Sequence, residues 1–335
     1  MTFFQENFSL TSLNTFGIAA KASYFWQTET LEELLAALDQ CRAKGVKWHI
    51  LGGGSNTIFM PSFAGAVIHL SGHRIELQEK SLVVCQAGMV WDQLVEWSVA
   101  HGLTGLENLS AIPGTVGASG VQNIGAYGVE AADKIVWIEY LDPTLNTVHK
   151  IDAKDCDFAY RHSIFKDKLS HCIVLRVAYG LKSDAVPADF DLDYGALRAE
   201  VEKLGALTSA NVRQAVMAIR AQKLPDPKVM GNAGSFFKNP VVDSAQFEAL
   251  IQKFPSIAYY KVEGGVKIPA GWLIDKAGLK GVRSGAVGTH SQQALVIVNH
   301  GGATADEILA FAKEIEHQVF DKFGITLEKE VTIVQ

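Results

Sequence analysis

What this chain lacks narrows its reading first. No apolar run approaches the roughly eighteen residues that a membrane-spanning helix requires. The opening stretch Met1-Thr2-Phe3-Phe4-Gln5-Glu6 has no basic region ahead of an apolar core, so no signal peptide is expected and a cytoplasmic protein is. Cysteine is scarce: Cys41, Cys85, Cys156 and Cys172 are scattered, with no C-x-x-C pair. They read as buried thiols in a reducing compartment, and neither a disulfide frame nor a metal site is expected. The ten histidines are dispersed, with no H-E-x-x-H. A basic excess is missing too. The net charge of −6 argues against a general nucleic-acid binder, although local Lys and Arg leave an anionic small substrate open. The remainder is ordinary for a globular protein, with 48% apolar and 20% charged residues. A length of 335 residues allows one to three domains and a sizeable core.

Glycine is what the chain has in informative places. Trp48-His49-Ile50-Leu51 is an apolar run that stops at Gly52-Gly53-Gly54, followed by Ser55-Asn56-Thr57. It reads as a strand ending in a loop whose backbone can approach a ligand closely. Successive N–H groups there can face one concavity, which suits phosphate. The loop is neither G-x-x-x-x-G-K-[ST] nor G-x-G-x-x-G, and a tight surface turn is the plain alternative. A second glycine-rich stretch, Leu109 to Gly128, contains Ile112-Pro113-Gly114-Thr115-Val116-Gly117-Ala118-Ser119-Gly120. An uncharged loop of this length should pack on something or on a ligand. Two such loops can close on the two ends of an elongated dinucleotide.

Local patterns order the rest of the chain. Ala22–Trp26 is strand-like, and Thr30-x-x-Glu33 caps a helix carrying Leu31, Leu34, Leu35, Leu38 and Cys41. With Trp48–Leu51 this makes a β-α-β unit whose loop lies at a strand's C-terminal end. Short strands are expected at Ala66–Leu70 and Leu82–Gln86, a helix at Trp91–His101, and a hairpin from Val136–Leu141 and Thr147–Ile151 around Asp142-Pro143-Thr144. The polar stretch Leu181–Asp193 reads as a connection near a domain boundary. Helices follow around Val212, Val216 and Ile219, around Phe247 to Phe254, and after Thr304-x-x-Glu307. The chain ends on a period-two run in which Ile325, Leu327, Val331 and Ile333 share one face and Glu328 and Glu330 the other.

Several polar residues stand out against this background. Arg161, in Tyr160-Arg161-His162-Ser163-Ile164-Phe165-Lys166, carries a planar fork suited to a carboxylate, with a surface ion pair as the plain alternative. Lys223 ends a helix, where it could simply offset the helix dipole. Ser235 lies in Gly231-Asn232-Ala233-Gly234-Ser235-Phe236-Phe237-Lys238-Asn239-Pro240 and could be a turn residue; no Gly-x-Ser-x-Gly elbow supports a hydrolase.

Leu-Gly-Gly-Gly-Ser-Asn followed by Ile-Pro-Gly-Thr-Val-Gly resembles the flavin domain of the UDP-N-acetylenolpyruvoylglucosamine reductase (MurB) family. Tyr-Arg-x-Ser-Ile-Phe-Lys, Gly-Ser-Phe-Phe-Lys-Asn-Pro and the terminal Leu-Glu-Lys-Glu-Val extend the resemblance over nearly the whole chain, with Lys329 where the pattern has Pro. The resemblance implies an α+β fold: a two-part FAD-binding domain of the PCMH/vanillyl-alcohol-oxidase type, residues 1–70 and 71–205, then an α+β substrate-binding domain, residues 206–335, whose last strand could return to the FAD domain. It implies non-covalent FAD held by Gly52, Gly53, Gly54, Ser55, Asn56, Thr57, Ile112, Pro113, Gly114, Thr115, Gly117, Ser119 and Gly125. It implies substrate contacts from Tyr127, Tyr194, Lys223, Asn239, Tyr260 and Gln293, Tyr260 being on an extra tyrosine loop. NADPH is the implied hydride donor, and UDP-N-acetylglucosamine enolpyruvate the implied substrate, reduced to UDP-N-acetylmuramate for peptidoglycan. Arg161 and Glu330 then stabilise the developing enolate and Ser235 supplies the proton, with Glu328 as the fallback for Glu330. No metal, nucleic acid or membrane partner is implied, and a monomer is expected. The alternative is another FAD oxidoreductase of the wider fold acting on a sugar or alcohol, or a flavin- or nucleotide-binding module without turnover.

Overall fold

The computed structural model describes residues 3–335. The chain forms two compact units, and both are assembled from separated segments. Of the described residues, the first takes 3–8, 22–54 and 64–222, and the second takes 9–21, 55–63 and 223–335.

In the first unit, Phe3–Ser9, Lys21–Thr28, Ser62–Leu70 and Trp48–Leu51 lie side by side in that order. Trp48–Leu51 runs parallel to Ser62–Leu70, so the expected β-α-β crossover skips a strand position. Its helix, Leu31–Lys44, begins where Thr30 Oγ1 accepts the Glu33 N–H at 3.3 Å. Leu34, Ala37, Leu38 and Cys41 from this helix share a core with Trp26, Ala66 and Ile68. A second sheet of five antiparallel strands has the order Thr147–Asp152, Ile135–Asp142, Ile173–Gly180, Leu82–Gln86, Ile75–Gln78. The expected hairpin is its outer pair.

Helices Trp91–Ala100 and Val116–Gln122 cover one face of that sheet through Val83, Cys85, Ile138, Val177 and Tyr179. The second of these falls inside the stretch expected to be an open loop. Glycines are poor helix formers, but here they allow close packing. A Cβ on Gly117 would come within 2.8 Å of Ala87 Cβ, and one on Gly120 within 2.8 Å of Ile138 Cδ1. The polar 181–193 stretch is mostly irregular and belongs to the first unit, which continues through the helix Ser209–Lys223 as far as Gln222.

The second unit is built on the sheet Gly231–Ser235, Val296–Asn299, Val287–Thr289, Arg283–Ser284. Helix Ala305–Phe323 closes it with a full capping box between Thr304 and Glu307. Its Ile308, Ala312, Ile315 and Val319 pack with Phe236, Phe237, Leu273 and Ile274. Residues from the start of the chain complete this core: Phe16, Ile18 and Ile58 are within it. Asn14 ties the entering segment together, donating to Leu10 O and Ile18 O and accepting from Ile18 N–H. Asn299 Nδ2 donates to Phe16 O at 2.9 Å. The terminal run departs from its expected alternation. Ile325, Leu327 and Val331 are buried, but Ile333 is exposed and Val334 takes its place. Only Thr332–Val334 is a strand, parallel to Thr57–Phe59.

Candidate active site

The two glycine loops meet in the first unit. A Cβ on Gly52 would lie 2.6 Å from Thr115 Oγ1, and one on Gly53 would lie 3.0 Å from Gly114 Cα. Glycine at position 52 leaves room for the Thr115 side chain, and glycine at 53 lets its backbone lie against that of Gly114. This cradle fits a cofactor that needs close backbone approach, and Gly54 ends the first unit's share of the loop while Ser55 begins the second's. Pro113 is exposed, Ile112 and Gly114 are half-buried, and Thr115 and Gly117 are buried. Ser119 is turned inward, its hydroxyl bonded to Val116 O at 2.7 Å and Tyr179 Oη at 2.6 Å. It stabilises the helix rather than presenting a donor outward.

A support for the second loop was invisible in sequence. Asp92 Oδ1 accepts the Ala111 N–H at 2.6 Å, where Ala111 sits at a φ of +56°. Arg213, from the distant helix Ser209–Lys223, grips the same carboxylate through both Nη atoms at 2.6 and 3.0 Å. Burial pushes the Asp92 carboxyl upward, but the Arg213 and Ala111 hydrogen bonds outweigh it and hold the group below its ordinary range. Arg220, two helical turns further on, is half-buried; desolvation lowers its pKa, and Tyr127 and Asp92 oppose that shift.

Arg161 occupies a two-residue turn. Ala159 and His162 exchange backbone hydrogen bonds at 3.2 and 3.0 Å around Tyr160 and Arg161. Arg161 takes a φ of +55°, a conformation usually left to Gly or Asn in such turns. Its guanidinium donates to Gly125 O at 3.1 Å and Asn123 O at 3.4 Å. Gly125 therefore aligns Arg161 through its carbonyl. Asn123 is buried and steadies the turn by donating to Ala159 O at 3.0 Å. Nearby in the chain, Tyr127 has a φ of +49° and stands edge-on to Tyr194, with ring centroids 5.8 Å apart. Asn108 holds both tyrosine-bearing segments, donating to Tyr127 O at 3.0 Å and Asp191 O at 2.7 Å. Burial raises the Tyr127 phenol, and Arg220 opposes that shift.

Ser235 and Glu330 come together in the second unit. Phe236 O accepts the Glu330 N–H at 2.9 Å, so the residue after Ser235 is bonded to the backbone of Glu330. Asn56, from the first glycine loop, donates its side-chain amide to Glu330 O at 3.0 Å. Thr57 follows it into the strand that pairs with Thr332. The pairing of Gly231–Ser235 with Val296–Asn299 shifts register between Asn232 and Ser235. One extra residue is inserted there, and Gly234 takes a φ of +65°. Such a bulge re-aims the following side chain, here Ser235. Glu328 faces elsewhere. It is paired with Lys238 and its side chain is 72% exposed. Lys329 pairs with Glu316 on the long helix.

The other expected contacts are distributed as follows. Asn239 Oδ1 accepts the Ala270 N–H at 2.9 Å, at the start of helix Ala270–Lys276. A Cβ on Gly271 would come within 2.8 Å of Gln293 Oε1, so that glycine makes room for Gln293. Lys223 is exposed at the end of its helix. Tyr260 is exposed on the hairpin Tyr260–Val262 and Gly265–Lys267.

With this geometry in place, likeness to known proteins is decisive. A family model for the FAD binding domain matches residues 22–150, and one for the UDP-N-acetylenolpyruvoylglucosamine reductase C-terminal domain matches residues 226–334. The UDP-N-acetylenolpyruvoylglucosamine reductase of Pseudomonas aeruginosa is 44% identical, with 97% of each chain covered. The chain belongs to the UDP-N-acetylenolpyruvoylglucosamine reductase (MurB) family. It is an FAD-dependent oxidoreductase of that family. The same enzyme of Flavobacterium johnsoniae is 43% identical over 98% of this chain and 99% of its own. The crystal structure of UDP-N-acetylenolpyruvylglucosamine reductase from Thermus caldophilus superposes with a TM-score of 0.70 at 26% identity, covering 100% of this chain and 99% of that one. The α+β architecture with a PCMH-type flavin domain follows from these matches. Among the described residues no helix is long and apolar enough to cross a membrane.

Proposed function

We propose that this chain catalyses the NADPH-dependent reduction of UDP-N-acetylglucosamine enolpyruvate to UDP-N-acetylmuramate, a step in making peptidoglycan precursors. The observation that carries the reading is the bulged Ser235, linked through Phe236 O to Glu330, in a flavoprotein of this family. The residues that would hold FAD are Gly52, Gly53, Gly54, Ser55, Asn56 and Thr57 with Ile112, Pro113, Gly114 and Thr115. Bound there, FAD supplies the hydride chemistry, accepting from NADPH and donating to the substrate double bond.

The protein's own part is charge and proton placement. Reduction of the enolpyruvyl group leaves negative charge on the carbon next to its carboxylate. Arg161, whose fork is fixed by two backbone carbonyls, meets that carboxylate, and a preorganised cation costs no rearrangement during reaction. Its strained backbone supports a role for the side chain beyond packing. Ser235 gives its hydroxyl proton to the anionic carbon and regains one from solvent. Glu330, kept in place by Phe236 and Asn56, orients the reacting end of the substrate. Tyr127, Tyr194, Lys223, Asn239, Tyr260 and Gln293 are assigned to the sugar nucleotide. The cation Lys223 suits its diphosphate.

An anaerobic titration of the purified yellow protein tests this. NADPH should bleach the flavin band, and the enolpyruvyl sugar nucleotide should restore it stoichiometrically. Bleaching by a simple sugar or alcohol, with no response to NADPH, would instead assign the protein to the oxidases of the wider fold.

A further inference from the structure

The sequence shows no metal motif, but one of its four cysteines escapes the expected burial. Cys41, Cys85 and Cys156 are buried, whereas Cys172 is only half-buried. Strand register gives it a partner far away in sequence. Leu141 stands opposite Ile173 in the antiparallel ladder, so the next step outward sets Asp142 against Cys172. His171 adjoins them. Its Nε2 is 3.5 Å from Cys172 Sγ and 3.8 Å from Asp142 Oδ2. One ligand atom from each of the three lies within 4.8 Å of the others.

We propose that Asp142, His171 and Cys172 bind a zinc-class divalent cation at the outer end of the five-stranded sheet, with solvent as the fourth ligand. A tetrahedral zinc ion with O, N and S ligands at about 2.0–2.3 Å has ligand-to-ligand edges of roughly 3.3–3.6 Å. The two separations from His171 lie close to these edges, and Asp142 and Cys172, whose ligand atoms are within 4.8 Å of each other, draw together on binding. The donor set also discriminates. A thiolate with an imidazole selects zinc over magnesium or calcium, which prefer oxygen shells.

The carboxylate is already oriented for such a role. Asp142 Oδ1 accepts from Thr144 N–H at 2.8 Å and Thr144 Oγ1 at 2.6 Å. Oδ2 is the oxygen turned to His171. Outer hydrogen bonds of this kind hold metal-binding carboxylates in place. Charge balances as well: one carboxylate and one thiolate match the dication, and the imidazole binds neutral. The thiol proton leaves to solvent when the metal takes its place. The adjacent cation, Arg42, is bonded to Pro143 O and Asn146 Oδ1 and paired with Asp39. Occupancy would fasten the segment before Ile173–Gly180 to the turn of the neighbouring hairpin.

The test uses the untagged, flavin-loaded chain after dialysis against a chelator. Added zinc should be retained at one equivalent per chain, and Cys172→Ser and His171→Ala should abolish this retention. Cys172 is the one thiol here not buried, so a thiol reagent applied to the native fold reads it directly, and zinc should protect it. Cobalt should give a thiolate charge-transfer band, and its visible bands should fall to the red of the flavin. Thr144→Val should weaken binding about tenfold by freeing the carboxylate. Failure to retain zinc, equal retention in both ligand variants, or a cobalt spectrum without the thiolate band would overturn the proposal. None of these readouts depends on turnover.

Discussion

Ser235 owes its direction to one inserted residue. The bulge at Ala233-Gly234 turns the strand so that the next side chain leaves the regular alternation. On the proposed mechanism Ser235→Ala removes one positioned acid, an effect of about 10²–10⁴ in rate. Stopped-flow on this variant should show NADPH bleaching the flavin at the unaltered rate, with recovery on substrate slowed by that factor. Equal slowing of both phases, or a lower melting temperature with normal kinetics, would make Ser235 a turn residue. Arg161→Lys tests a different property. Lysine keeps the charge but cannot reproduce a planar fork bonded to Asn123 O and Gly125 O. FAD content and bleaching by NADPH should be normal while reoxidation by substrate slows. Turnover equal to that of the parent enzyme would remove Arg161 from the reacting centre.

Among the elements, those whose cause is local were legible in the sequence. The helices after Thr30 and Thr304 begin where their capping residues stand, and the Asp142 turn makes the hairpin it announces. The glycine loops could be read as a pair because each carries its own permissive residues. Elements whose cause is tertiary were not legible. The helix Val116–Gln122 survives its glycines because they let it settle onto Ala87 and Ile138. The terminal alternation fails after Val331 because the strand there pairs with Thr57–Phe59. Nothing in the sequence near Asp92 announces its role, since its partner Arg213 is 121 residues away. Its consequence is testable. Asp92→Ala should release the Ala111 end of the second glycine loop and strand the half-buried Arg213, lowering stability by roughly 1–3 kcal/mol. FAD should dissociate faster from this variant in a fluorescence assay. The pH dependence has a definite sign. The carboxyl is held low in the fold, so its contribution is full above the ordinary carboxylate range. It is lost as pH falls through and below about 4. Melting temperature should fall more steeply there in the parent than in Asp92→Ala. Parallel curves would show that the pair contributes nothing to stability.

Taken as a whole, the molecule is not threaded in the order of its segments. The two residues of the last third proposed to act on the substrate, Ser235 and Glu330, lie in a unit that residues 9–21 and 55–63 complete. Phe16, Ile18 and Ile58 are nearly inaccessible within its core. Thr57–Phe59 is the partner of the final strand. A fragment of residues 206–335 would lose all of this. Burying three such side chains is worth roughly 1.5–3 kcal/mol each. A whole domain is stable by only about 5–15 kcal/mol. The expected outcome is that the fragment expressed alone shows no cooperative thermal transition. The backbone groups freed by losing the Thr57–Phe59 strand and the Asn299 contact with Phe16 add to the deficit. A peptide spanning residues 9–21 supplied in trans should bind the fragment only weakly, because the second missing segment stays absent. Joining both segments to the fragment through short flexible linkers should restore a sharp transition. If residues 206–335 alone melt cooperatively near the full chain's temperature, the early segments decorate this unit rather than complete it.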